Sequence, residues 1–196
     1  MDSIIKKIIE NGIAYKEYLN RFKNELINLQ LNKIDQKKLN FHRTSRLHKT
    51  LQISETTKTL IEQIKNPQLW LVITETWCGD SAQNLPIIAE LAKLNSLIEL
   101  KVISRDKNLD IMEHFLTNGS KSIPKLVAFD QNGNQLFQWG PRPKEAQTLV
   151  KNAMREQISK DEYLVSLHKW YAADKGKSIE KELYDLLQTS ILAIHN

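Results

Sequence analysis

Apolar positions recur along this chain with two different periods, and the changes of period mark out the elements. Ile4, Ile5, Ile8 and Ile9 are followed by Tyr15, Leu19, Phe22, Leu26 and Leu29 at steps of 4, 3, 4 and 3, the seam of an amphipathic helix that Gly12 loosens near its start. Residues 32–53 break the pattern and predict a polar connector. Its segment from Phe41 to Lys49 is basic and carries His42 and His48, with no ligand pattern around them. Glu55 to Lys65 returns to helical spacing with Leu60, Ile61 and Ile64 inward, and Asn66-Pro67 ends it. Leu69 to Ile73 is a continuous apolar run, as in a strand buried on both faces. Leu85, Ile88, Ala89 and Ala92, with Ile87, Leu91 and Leu94 on a second face, then predict a buried helix.

Further on, Ile98, Leu100 and Val102 alternate with Glu99 and Lys101, which predicts a strand with one wetter face at an edge of the sheet. Asp110 to Leu116 predicts a short helix stopped by Asn118-Gly119. Leu126 to Phe129 and Leu136 to Trp139 are two strands joined by Asp130-Gln131-Asn132-Gly133, a hairpin signal because an Asn-Gly pair tolerates positive φ. Gly140-Pro141-Arg142-Pro143 breaks the sheet before a helix from about Lys144 to Glu156. Ser159 to Glu162 fits a capping box opening a helix that Gly176 ends, and Ile179, Leu183, Leu186, Leu187, Ile191 and Leu192 mark a terminal amphipathic helix.

Composition narrows the function classes. At 196 residues and 41% hydrophobic content, one core with appendages is expected. The net charge of +5 is carried by residues 1–66, with 13 Lys+Arg against 7 Asp+Glu. Without an aromatic-plus-basic stripe or a nucleic-acid motif, this reads as a solvated helical face, and no nucleic-acid partner is expected. No apolar run reaches the ~18–20 residues of a membrane span, no signal pattern opens the chain, and one cysteine excludes an internal disulfide. A reducing cytoplasm is the expected location. His114, His168 and His195 lack acidic or cysteine partners in pattern and read as surface or packing residues, so no metal and no cofactor is expected.

That cysteine, Cys78, lies where the apolar run meets the buried helix. Unpaired N–H groups and the positive end of a helix dipole there favour a thiolate, while the charge of Asp80 works against it. Trp77-Cys78-Gly79-Asp80-Ser81 resembles the thioredoxin Trp-Cys-Gly-Pro-Cys motif with the second cysteine replaced by serine. Pro86, eight residues after Cys78, stands where thioredoxins carry a helix-kinking proline. Ser122-Ile123-Pro124-Lys125, ahead of a strand, resembles the step that in this family holds a cis proline beside the active-site cysteine. The resemblance covers roughly residues 67–157 and implies an α/β thioredoxin-like fold, a β-α-β-α-β-β-α core. Residues 1–66 would form an N-terminal helical extension and 158–196 a C-terminal one packed on the core.

Two departures carry chemical weight. The family's buried aspartate six residues before the first cysteine is Val72 here, and the residue after the proline is Lys125 in place of threonine, an ammonium able to favour a thiolate or an anionic partner. Glu75 is the other carboxylate near Cys78, a candidate proton relay or a solvated strand end. On the resemblance, Cys78 and Ser81 are the candidate catalytic residues, and Trp77, Gly79, Asp80, Ile123 and Pro124 the candidate substrate-binding residues.

Two functions of different class fit. One is a monothiol thiol-disulfide oxidoreductase with an exposed nucleophile at Cys78, a thiolate steadied by Ser81, and an external resolving thiol. Its partner would be a disulfide- or thiol-containing protein or a small thiol. The other is a non-catalytic thioredoxin-fold binding module for a peptide or partner protein. The flanking helices, roughly 2–31 and 159–194, are expected to pack on one side of the molecule.

Overall fold

In the computed structural model, which describes residues 2–28 and 34–194, the apolar run ahead of Cys78 is the central strand of a five-stranded sheet. The seam position Leu29, and His195, lie outside the described residues. In chain order the elements are α1 (Asp2–Asn11), β1 (Ile13–Ala14), α2 (Tyr15–Asn28), α3 (Ile34–Thr50), α4 (Glu55–Glu62), β2 (Gln68–Thr74), α5 (Gly79–Lys93) and β3 (Ile98–Ser104). The short α6 (Leu109–Met112), β4 (Lys125–Asp130), β5 (Gln135–Trp139), α7 (Lys144–Arg155), α8 (Lys160–Asp174) and α9 (Lys177–Ile194) follow. The sheet order is β1-β3-β2-β4-β5, with β3 parallel to β2 and every other neighbouring pair antiparallel.

β2 is central because both its faces are apolar. Trp70 and Val72 point into one core with α4, α5 and α9, while Leu71 and Ile73 point into a second with α1, α6 and Phe115. All four are fully buried, worth about 1.5–3 kcal/mol each in transfer free energy.

Four expectations are corrected here. β3 is not the edge of the sheet, since the two-residue β1 pairs outside it through Ile13–Val102 and Ala14–Lys101. Gly12 does more than loosen a helix. A Cβ there would press on the Ile8 carbonyl and the Lys101 side chain, so its absence lets α1 end and the chain cross the sheet edge as β1. As a result, α1 covers the face opposite α9, against the expectation of one side, while Tyr15, Tyr18 and Leu19 of α2 pack into the same core as α9, in keeping with it. Residues 34–50 of the expected connector form α3, packed against α5.

α9 covers β5 and ties distant helix starts together. Glu180 accepts from the Ser54 amide, the Ser54 hydroxyl and the Thr57 hydroxyl at the start of α4, at 2.9, 2.6 and 2.8 Å. Glu182 accepts from the indole of Trp139 and the amide of Lys144 that opens α7, both at 2.7 Å. Each carboxylate satisfies N–H groups that a helix start leaves unpaired. α7 packs against α8 through Ala146, Val150, Leu167 and Tyr171. Among the described residues no helix is long and apolar enough to cross a membrane.

Candidate functional site

β2 ends at Thr74, the turn Glu75-Thr76-Trp77 follows, and Cys78 becomes the extended N-cap of α5. Its amide donates to the Glu75 carbonyl, its carbonyl accepts the first helical bond from Ala82, and its own side chain does not cap the helix. The thiol donates to the Ile123 carbonyl at 3.4 Å across a cis Ile123–Pro124 bond. Gly140 closes the turn behind that loop. It sits at φ +120, and a Cβ there would collide with the Pro124 carbonyl.

The sulfur is buried, contrary to the exposed nucleophile expected of an oxidoreductase. Cys78 is 7% exposed, and burial, followed by the negative charge of Asp80, pushes its thiol up, while the Ser81 side chain and the Ser81 and Asp80 amides pull the other way. The helix start therefore loses to desolvation and to a neighbouring carboxylate. Ser81 is itself buried, and its hydroxyl has no hydrogen-bond partner among the described residues.

Asp80 is the hub of a buried network. Its Oδ2 pairs with Arg142 Nη2 at 2.7 Å, its Oδ1 accepts from the Tyr171 hydroxyl at 2.8 Å, and Asn84 donates to both that hydroxyl and the Asp80 carbonyl. Burial raises the Asp80 carboxyl above its ordinary range, with Arg142, Tyr171 and Arg43 opposing. For Arg142 burial works downward, but the Asp80 carboxylate, Tyr171 and Cys78 together hold the guanidinium up.

Two helices hold the motif from outside the sheet. Asn40 and Thr44 of α3, both buried, donate to the carbonyls of Thr76 and Ala82, and Asn40 also accepts from Arg43 at 2.8 Å. From the other side, α8 lays the His168 ring on Gly79. A Cβ on Gly79 would lie 3.1 Å from the ring, and burial, then Arg43, drives the imidazole down to about 4. His168, expected at the surface or in packing, is thus a neutral wall of the site.

Trp77, Cys78, Gly79, Asp80 and Ile123 line one cleft of about 340 Å³ together with Tyr163, Leu164, Leu167 and His168 of α8, while Ser81 and Pro124 are buried and do not line it. Trp77 is 40% exposed with the Arg105 guanidinium 5.0 Å from its ring centroid. Glu75 is half-buried and engaged away from the sulfur, since it accepts from the Ser104 hydroxyl and the Asp106 amide at 2.6 and 2.9 Å. Lys125 is buried in β4, which lowers its ammonium's pKa, and the cations that act on Asp80 are Arg142 and Arg43. Arg142, Tyr171 and Arg43 were not anticipated. The one local hint was Arg142 inside the sheet-breaking Gly140-Pro141-Arg142-Pro143.

A strand, a cysteine at the next helix start and a proline loop facing it define the class of the molecule. The family model described as Thioredoxin matches residues 28–157, and the chain belongs to that family. Among solved structures, it is similar to an HIV epitope-scaffold at 16% identity and a TM-score of 0.64, covering 94% of this chain and 97% of that one. It is also similar to a protein of unknown function from Pseudomonas aeruginosa at 17% identity and a TM-score of 0.60, covering 91% and 99%. Both likenesses are of fold. No curated protein sequence matches it.

Proposed function

We propose that the protein is a monothiol thiol-disulfide oxidoreductase in which Cys78 is the nucleophile and an external thiol completes the cycle. The observation that carries this reading is the placing of the chain's one cysteine at the start of α5, its sulfur within 3.4 Å of the Ile123 carbonyl. On this reading the core is residues 67–157, with 1–66 and 158–196 as helical extensions, and the protein works in a reducing cytoplasm that supplies the second thiol.

The thiol is protonated at rest and gives its proton to solvent. Sγ then attacks a disulfide sulfur; the Sγ–S bond forms as the S–S bond breaks, and the leaving thiolate takes the electron pair. The Asp80 and Ser81 amides and the Ser81 hydroxyl favour the sulfur's negative charge. Ile123 and Pro124, with Trp77, Gly79 and Asp80, form the surface on which the substrate lies. Ser81 holds no sulfur and cannot attack the adduct, so a second thiol must displace Cys78. Mass spectrometry of protein given a disulfide alone, then a thiol, tests this. A stable Cys78 adduct released only by added thiol is expected, and absence of an adduct with excess disulfide refutes it.

A binding module is the second reading, favoured by the burial of Cys78 and the lining of its cleft by α8. In that case Cys78→Ser leaves partner binding and cellular function intact.

A further inference from the structure

The cleft beside Cys78 carries more positive than negative charge. Its ionised lining groups are Asp80, Arg105, Arg142 and Lys160, and Asp80 is taken up by Arg142. Arg105 lies over Trp77, bonded to the exposed Asp106 and to the Lys121 carbonyl. The Lys160 ammonium has no partner among the described residues. Behind Gly79, the Arg43 guanidinium bonds to Asn40 and adds a further positive charge. Within this wall, Nε of Arg142 and Nδ1 of His168 are buried without hydrogen-bond partners among the described residues. Trp77, Leu164 and Leu167 supply an apolar side. A cleft of about 340 Å³ suits a small molecule better than a folded partner.

We propose that this cleft selects low-molecular-weight disulfides bearing carboxylate or other anionic groups close to the S–S bond, with Lys160 and Arg105 as the residues that determine the choice. This rests on the oxidoreductase reading. The anionic arm sets its charge against Lys160 and Arg105, and its hydrocarbon lies on the apolar side. Attack by Cys78 Sγ joins one half of the disulfide to the protein and releases the other as a thiolate, so electrons balance without a further oxidant. A cationic wall in a low-dielectric cleft raises the local concentration of anions and the rate at which they arrive.

The test compares second-order rates of Cys78 adduct formation by the full chain with three probes: dithiobis-nitrobenzoate (anionic), dithiodipyridine (neutral) and cystamine (cationic). Each rate is normalised to that of the same probe with mercaptoethanol. The anionic probe should exceed the cationic one by roughly tenfold or more at low salt, and the excess should shrink as salt is added. Lys160→Glu and Arg105→Gln should each cut the anionic rate by about fivefold and the neutral rate by much less. Lys160→Glu is safe for the fold, because an acid in the first turn of α8 suits the helix dipole. A normalised ratio near one, or a preference retained in both variants, overturns the proposal. Insulin disulfides reacting faster than the anionic probe overturn its small-molecule part. If even the neutral probe leaves Cys78 unmodified, the oxidoreductase reading itself falls.

Discussion

Replacing Arg142 with methionine removes the cation from the buried Asp80 carboxylate and keeps most of the side chain's bulk. The ion pair spans 2.7 Å with side chains 20% and 9% exposed, so neither charge is fully solvated when its partner is lost. Breaking a buried pair from one side costs roughly 3–5 kcal/mol, and the Tyr171 hydroxyl and the charge of Arg43 remain, which places Arg142→Met near about 3 kcal/mol. Asp80→Asn leaves a guanidinium with some access to water and should cost about 1 kcal/mol. The double variant should then cost about 1–2 kcal/mol rather than the additive ~4 kcal/mol. Urea unfolding of the four proteins measures the cycle, and Arg142→Met should lower Tm by about 6–12 °C for a chain of this size. Burial already raises the Asp80 carboxyl, and loss of Arg142 raises it further. A raised folded-state carboxyl destabilises above its pKa and ceases to do so as pH falls through it. The Arg142→Met deficit should therefore shrink as the solution is acidified. A cost under about 1 kcal/mol, or additivity in the double variant, would refute the account of Asp80 as a hub.

Asp80→Asn also removes the second-largest influence raising the Cys78 thiol, so the pH midpoint of Cys78 alkylation by iodoacetamide should move down, and an unmoved midpoint would count against that influence. Ser81→Cys should convert the protein into one that ends disulfide reduction with Cys78 bridged internally to the new thiol, seen as loss of both thiols, slowly because Val72 supplies no buried base. His168 falls to about 4 from an unfolded value near 6.5, so the stability present above about pH 6.5 should be lost as pH falls toward 4. Discounted for the ring's partial exposure, the loss is about 1–2 kcal/mol, and His168→Gln should flatten that slope. Glu180→Ala should cost about 2–3 kcal/mol by stranding the start of α4, without altering Cys78 alkylation.

β2, α5, the β4–β5 hairpin and the capped start of α8 were legible in the residues alone, because each rests on local chemistry. These are a continuous apolar run, helical spacing, an Asn-Gly turn and a Ser159–Glu162 capping box. The position of Cys78 at a strand-to-helix junction was equally local. α3 escaped because it meets the motif through Asn40 and Thr44, whose buried polar groups bond to backbone carbonyls, so no apolar period marks that face. β1 escaped because two residues become a strand only when β3 lies beside them. The state of Cys78 depended on segments far along the chain. Ile123 and its loop cover the sulfur, α8 lines the cleft, and Arg142 and Tyr171 hold the Asp80 charge beside it. Local sequence determined where the sulfur stands in the chain; its ionisation was decided by tertiary packing, because desolvation and long-range charge depend on neighbours that only the folded chain brings together.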